Sequence, residues 1–263
     1  NDYLNYGMGS STNATSLEYD NFISTFHSTA VRTSSGVYKV WGEDMSNDGT
    51  TDLLAPTIID KTNFPALTGS VLKVAMGSSS INNAQGIVLS TTGLFAWSTE
   101  SAVIHTNITT SSTFQKLTIN GETDGLPVGI NPTDVKMMFA TYRTLAIVTC
   151  SGNVYVLTRQ GENTGTGLTG GLTAGQSVVW YQVTEATAGN PAISNVIQVR
   201  GSRNTLFALK ADGTLWTWGT ETYLGNGTGQ ASLSRATQMT LPSANPIKMI
   251  GTTHNTGNVV SYY

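Results

Sequence analysis

Two short apolar runs separated by a turn stand out in the later part of the sequence. Positions 206–209 read Leu-Phe-Ala-Leu, positions 214–218 read Thr-Leu-Trp-Thr-Trp, and Asp212 and Gly213 lie between them. Asp-Gly between two β-prone runs is a strong hairpin signal, because a tight primed turn needs positive φ angles. The pattern predicts two antiparallel strands joined by a primed turn. Trp216 and Trp218 should lie on the same face, because side chains alternate along a strand.

The same run–turn–run pattern occurs three more times with lower fidelity, at positions 30–42, 86–97 and 145–157. The turn glycines are spaced 57, 59 and 61 residues apart, at Gly36, Gly93, Gly152 and Gly213. A near-constant period with the same turn chemistry predicts a repeat architecture.

Two further features share this period. A few positions before each hairpin alternate between apolar and polar residues and usually end at glycine, as expected of a half-buried strand; they are 71–77, 135–140, 196–201 and 247–251. After two of the hairpins come polar segments, Asn-Asp-Gly-Thr-Thr-Asp at 47–52 and Gly-Asn-Gly-Thr at 225–228. Apolar residues do not recur at helical spacing over ten or more positions, so we expect an all-β chain.

The run Leu-Lys-Ala-Asp-Gly-Thr-Leu-Trp-Thr-Trp-Gly at 209–219, with Leu-Gly-Asn-Gly-Thr at 224–228, resembles the repeat of the RCC1 (regulator of chromosome condensation) family in its bacterial form. The resemblance covers roughly residues 22–263. It implies a β-propeller of four-stranded blades, with about four blades and part of a fifth in this chain. It also implies that the chain is an incomplete portion of a seven-bladed ring.

The resemblance divides the chain into an N-terminal segment and a propeller. Residues 1–21 are expected to be a leader, a closing strand or the end of a preceding blade, and residues 22–263 to form the propeller. The expected blade limits are roughly 22–76, 77–139, 140–201 and 202–251, with a partial blade at 252–263. The expected outer strands are 57–59, 114–119 and 178–183. The long connections at 98–126 and 160–177 should form a variable surface, and the Gly/Thr-rich second one should be mobile.

Composition narrows the function classes. Charged residues make up only 11% of the 263 residues, and the net charge is −3. No run of Lys or Arg is visible, which disfavours nucleic-acid binding. The single cysteine, Cys150, cannot form a disulfide within the chain, and no apolar run is long enough for a membrane-spanning helix. A surface rich in Ser, Thr, Asn and Gly is typical of secreted and surface-exposed bacterial β-proteins.

Few residues are candidates for a specific site. Asp44, Ser46, Asp48 and Asp52 fit the first positions of a calcium loop, but Ala55 stands where the bidentate Glu is needed, so the candidate is weak and no metal is expected. No catalytic motif is found, and no cofactor is expected. Trp180 and Tyr181 follow the Gly-rich connection and are the best candidates for an exposed aromatic contact with a ligand.

The favoured hypothesis is a non-enzymatic recognition or adhesion module, extracellular or on the bacterial cell surface, within a larger protein. Its loops would bind a protein or a glycan. The alternative is a structural or cargo domain of a surface filament or secretion complex, covered by that complex or by the rest of its own polypeptide. A glycan-active enzyme is less favoured, because it needs paired carboxylates and no repeat-related pair is visible.

Overall fold

The computed structural model shows an all-β chain, as the sequence predicts. Within the described residues, the only helical segment is a single 3₁₀ turn, Pro132–Asp134. The structure describes residues 22–25, 28–43, 45, 51–80, 83–98, 111–141, 144–158, 164–168, 179–202, 205–219, 224–225, 232–241, 245–252 and 259–262.

The described strands form four four-stranded antiparallel sheets and one two-stranded sheet, each with its strands paired in chain order. Blade 1 contains β1 (Phe22–Ser24), β2 (Ser28–Arg32), β3 (Tyr38–Gly42) and β4 (Leu53–Ile58). Blade 2 contains β5 (Val71–Ser80), β6 (Asn83–Ser90), β7 (Gly93–Ser98) and β8 (Ser111–Lys116). Blade 3 contains β9 (Val135–Ala140), β10 (Thr144–Thr149), β11 (Val154–Thr158) and β12 (Trp180–Gln182). Blade 4 contains β13 (Val196–Ser202), β14 (Thr205–Lys210), β15 (Leu215–Gly219) and β16 (Leu233–Gln238). The two-stranded sheet contains β17 (Met249–Thr252) and β18 (Val259–Tyr262).

The hydrophobic core lies in layers between neighbouring sheets. In β10, Leu145 and Ile147 pack towards blade 2, whereas Ala146 and Val148 pack towards blade 4. All six residues of β10 are buried, which explains why this strand is a continuous apolar run instead of an alternating one. Each central sheet is therefore buried on both faces.

The sheets are arranged around one axis. The first strands of all five sheets, β1, β5, β9, β13 and β17, line a common cavity of about 260 Å³. Polar contacts also join consecutive sheets: Gln198 in blade 4 donates to the Ile250 carbonyl and accepts from the Ile250 amide, each at 3.0 Å. These features define a β-propeller and confirm the predicted fold class.

Sheet boundaries differ from the expected blade limits. The alternating segment that begins at Val71 was expected to end blade 1, but it is β5, the first strand of blade 2. The same holds for β9, β13 and β17, which start their own sheets. Alternation alone marks a strand without indicating which sheet the strand joins. The blade limits predicted from the sequence therefore lie too late in the chain, after the first strand of the next blade has begun.

The hairpin turns also differ from the prediction. In the fourth hairpin, the Gly213 amide bonds to the Lys210 carbonyl at 2.9 Å and the Lys210 amide bonds to the Thr214 carbonyl at 3.0 Å. Gly213 has a φ of +82°, and Asp212 does not have a positive φ. The loop therefore has three residues with glycine in the left-handed position, which also suits the twist of the flanking strands, and the predicted primed turn is wrong. The first and third hairpins close in the same way.

The turn glycine also allows a close approach by the segment that enters the next sheet. A methyl group added at Gly213 would lie 2.3 Å from Cβ of Pro246. The Gly213 carbonyl accepts a hydrogen bond from the Ile247 amide at 3.0 Å. At Gly152 the corresponding carbonyl accepts from the Val196 amide, also at 3.0 Å. Glycine at this point of the repeat therefore serves both turn geometry and blade contact.

One face of blade 1 differs from the equivalent faces of blades 2 and 4. Trp97 and Trp218 occupy equivalent strand positions and are 2% and 0% exposed, because each packs against the preceding blade. Trp41 is at the same position in blade 1 and is only half-buried. Leu54 in the outer strand of blade 1 is 91% exposed. No described strand covers this face.

We expect replacement of Gly213 by alanine to destabilise the protein more than replacement of Gly36. Both residues have φ near +80°, so both substitutions carry a backbone cost of about 1–2 kcal/mol. At Gly36 the nearest atom is the flexible Arg32 guanidinium at 3.3 Å, whereas Gly213 meets the Pro246 ring. The clash should add about 1–3 kcal/mol at Gly213, measured by urea denaturation. Equal losses of stability for the two variants would show that the contact of Gly213 with the segment entering the next sheet does not restrict this position.

The two equivalent tryptophans offer a second test of the blade packing. Trp218→Ala should lower the free energy of unfolding by about 3–5 kcal/mol, because it opens a cavity in a fully buried layer. Trp41→Ala should cause a clearly smaller loss, since the half-buried ring gives up less apolar contact. Thermal and urea denaturation of the two variants would measure this. A larger loss for Trp41 would show that its face is covered.

Candidate functional site

A surface cleft of about 250 Å³ lies between the outer parts of blades 2 and 3. We call it the rim cleft. Blade 3 contributes side chains from β11 and β12, and blade 2 contributes the connection that follows β8. The lining residues are Ile119, Asn120, Glu122, Leu126, Pro127, Val128, Tyr155, Trp180 and Gln182.

The blade 2 wall of the cleft is held by a tight turn. Ile119 and Glu122 exchange two backbone hydrogen bonds, at 3.2 and 3.0 Å. Asn120 and Gly121 between them both have positive φ, +51° and +85°. This is the geometry of a type I′ turn, for which Asn-Gly is the preferred sequence. The Asn-Gly pair was therefore a signal in the sequence for this part of the site, and the sequence analysis missed it.

The blade 3 wall is formed by one face of its outer two strands. Tyr155 and Gln182 are directly opposite each other in the β11–β12 pairing, and Trp180 lies two residues from Gln182 on the same side. The indole Nε1 of Trp180 donates to the Gly125 carbonyl of blade 2 at 2.8 Å. This bond fixes the orientation of the ring and joins the two walls.

Among the described residues, Glu122 is the only acidic side chain that lines the cleft, and it is half-buried. The described lining contains no Lys or Arg. Within the part of the chain that the structure describes, no cationic side chain forms an ion pair with the Glu122 carboxylate. The cleft therefore combines two aromatic rings, a carboxylate and side-chain amides.

The two aromatic residues expected to bind ligand lie on opposite faces of blade 3. Trp180 packs against the core layer between blades 2 and 3, and Tyr181 packs against the layer between blades 3 and 4. Burial raises the pKa of the Tyr181 phenol. Consecutive strand residues point to opposite faces, so the pair cannot form one contact surface. Of these two residues, only Trp180 lines the rim cleft, and the second aromatic residue in the lining is Tyr155.

The described portion of the Gly/Thr-rich connection at 160–177 is residues 164–168, and it packs against blade 4. Thr164 in this portion is fully buried. Arg235 in β16 donates to the Thr166 carbonyl at 2.5 Å and to the Thr184 hydroxyl at 2.8 Å. Glycine at 165 and 167 allows close contact of this portion with Trp218 and Arg235. The mobility of the connection stays a prediction.

No metal site is found in the described residues, since no group of three or more His, Cys, Asp or Glu side chains could hold an ion there. Three of the weak calcium candidates, Asp44, Ser46 and Asp48, lie outside the described residues. Asp52 is among the described residues and lies directly before β4, which begins at Leu53. Cys150 is a free, exposed cysteine.

Comparison with solved structures supports the RCC1-like propeller fold. Prp20p from Saccharomyces cerevisiae matches with a TM-score of 0.58 and 16% identity over 87% of this chain and 52% of its own. Human WBSCR16 matches with a TM-score of 0.55 and 19% identity over 82% of this chain and 51% of its own. The chain thus spans about half the length of these proteins. Identities this low show the fold alone.

Sequence-based comparisons add no family. No protein-family model matches the chain, and no curated protein matches it. In the described residues, no helix has the length and apolar character to cross a membrane.

Replacing Trp180 with phenylalanine should destabilise the protein by about 1–3 kcal/mol, because the buried Gly125 carbonyl loses its indole donor. Trp216→Phe is a matched control, since its indole donates to the partly exposed Thr214 hydroxyl, which water can satisfy. Urea denaturation should show the larger loss for Trp180→Phe. If the control loses as much, the Trp180 bond does not stabilise the contact between the blades.

Proposed function

We propose that this chain is a non-enzymatic recognition module that binds a protein partner at the rim of its propeller. The rim cleft is the observation that carries this proposal. It is concave, one wall is formed by two paired strands of blade 3 and the other by the hydrogen-bonded turn after β8, and a hydrogen bond holds its aromatic wall in place. A prebuilt site of this kind binds without the entropic cost of ordering a loop.

Exposed apolar surface beside the cleft supports a macromolecular partner. Val128 lies on the lip of the cleft and is 72% exposed. In a protein interface, side chains around the central contact exclude water from it, and an apolar side chain at the edge of the cleft suits this role. Among proteins with this fold, Prp20p has binding properties towards Gsp1p and histones, and a second structure shows Kap60 bound to it. These are properties of that protein, and they support a protein partner here by analogy of fold.

A binding role is favoured over catalysis by the chemistry of the cleft. Hydrolysis of a glycosidic bond uses two carboxyl groups on either side of the bond. The described lining of the rim cleft contains a single carboxylate, that of Glu122. The side chains around it can orient and hold a ligand through stacking and hydrogen bonds.

We place this module outside the cell or on a bacterial cell surface. The low charged content, 11%, and the Ser, Thr, Asn and Gly of the connections support this location. Labelling of intact cells of the source organism with a membrane-impermeant biotin reagent would test it. Labelling of this protein without that of a cytoplasmic marker is expected. Labelling only after lysis would contradict the location.

The binding proposal can be tested with the purified chain on protein and glycan arrays. We expect binding to a protein probe, and Val128→Asp should weaken it at least about fivefold, because the complex would then bury an unpaired charge at the edge of the cleft. Leu54→Asp is the matched control, because it places the same charge on a similarly exposed apolar position of blade 1. Both variants should keep the wild-type urea midpoint.

Three results would contradict the proposal. Binding that is lost in Leu54→Asp and retained in Val128→Asp would exclude the rim cleft as the contact. Binding to glycans with none to proteins would exclude a protein partner. Turnover of a bound glycan or peptide would show that the module is an enzyme.

A further inference from the structure

The lining of the rim cleft has an unbalanced charge. Glu122 is half-buried in a wall of the cleft, and neither a lining residue nor any other described residue gives it a cationic partner. A carboxylate that is partly shielded from water interacts more strongly with a positive charge than a fully exposed one does. The cleft therefore favours a cation over a neutral or anionic group.

Two aromatic rings stand beside this carboxylate. Tyr155 and Trp180 line the same cleft, and Trp180 is held by its bond to Gly125. Aromatic faces attract Lys and Arg side chains through their quadrupole, and tryptophan does so best. The chain already uses this interaction elsewhere: the Lys210 ammonium lies 4.6 Å from the Trp216 ring centre and pairs with Glu185.

The contacts of Lys210 show how a carboxylate and an aromatic ring together hold a cationic side chain. There a lysine, a tryptophan and a glutamate from two blades come together, and both charged side chains are only 12% exposed. In the rim cleft the described lining has the tryptophan on blade 3 and the glutamate on blade 2 but no lysine. The component that this described lining lacks is a cation.

The size of the cleft suits a single side chain. The cleft holds about 250 Å³, at the small end of ligand pockets, which are typically roughly 300–1,000 Å³. One extended Lys or Arg side chain suits such a space, with its methylenes against the rings and its charge near Glu122.

We propose that the rim cleft receives a lysine or arginine side chain of the protein partner. This inference rests on the proposed function, since it names the chemistry by which the same cleft recognises that partner. Glu122 supplies the counter-charge, Trp180 and Tyr155 supply the aromatic walls, and the side-chain amides of Gln182 and Asn120 offer hydrogen bonds. Val128 then contacts an apolar neighbour of the basic residue.

The test uses the whole chain and small probes of defined charge. Acetyl-lysine-amide and acetyl-arginine-amide (acetylated at the α-amine) are titrated into ¹⁵N-labelled protein and followed by the indole N–H signals. Trp180→Phe assigns the Trp180 signal. Acetyl-norleucine-amide is the uncharged probe of similar shape, and chitotriose is the sugar probe.

We expect the lysine and arginine probes to shift the Trp180 signal in a saturable way, and norleucine to bind at least about fivefold more weakly. Glu122→Gln should weaken binding of the lysine probe on the order of five- to tenfold and reduce its dependence on salt. Asp60→Asn removes the same charge from blade 1 while keeping an oxygen for its bond to the Asn63 amide, and it should change nothing.

Equal binding of norleucine and lysine would overturn the proposal, because the cleft would then select apolar shape. A shift by chitotriose without one by lysine would identify a sugar site, and no shift by any probe would also overturn it. The array experiment distinguishes failure of the proposed protein binding from failure of the proposed cation recognition. Protein binding that depends on Val128 but survives Glu122→Gln would leave the proposed function standing and remove the cation from it.

Discussion

Burial of both faces of each central sheet is the constraint on which the rest of the structure depends. A sheet that is covered on both sides needs mainly apolar residues on both faces of its strands, as at positions 145–148 of β10, and needs neighbours on either side to supply the contact. The repeat provides those neighbours along the chain. The close packing of neighbouring sheets also explains the turn glycines, because the segment entering the next sheet passes within van der Waals contact of Gly213 and Gly152.

The same constraint moves specific binding to the outer rim. Sheets that radiate from one axis are closest near the centre and diverge outwards, so side chains fill the inner layers while the outer layers need additional cover. Between blades 2 and 3 this cover comes from the connection after β8, held by the Asn120-Gly121 turn and by the Trp180 indole. Between blades 3 and 4 it comes from residues 164–168, held by Arg235.

The errors in the sequence analysis have separate physical causes. Asp-Gly is compatible with a primed turn and with a three-residue loop, and the choice depends on strand twist and on the segment that packs on Gly213. An alternating run such as 71–77 marks a strand, but the sheet it joins depends on its pairing partners. Trp180 and Tyr181 are adjacent in sequence, and strand alternation sends them to different core layers.

The sequence by itself determined the repeat period, the all-β character and the resemblance to RCC1-like blades, because these follow from local patterns of apolar residues and glycines. It also marked Trp180 as a residue to examine. Only the tertiary structure showed that Glu122 of blade 2 lies in the same cleft as Tyr155 and Trp180 of blade 3. Residues separated by more than thirty positions meet there because two sheets pack side by side, and no local pattern encodes which outer residues that packing brings together.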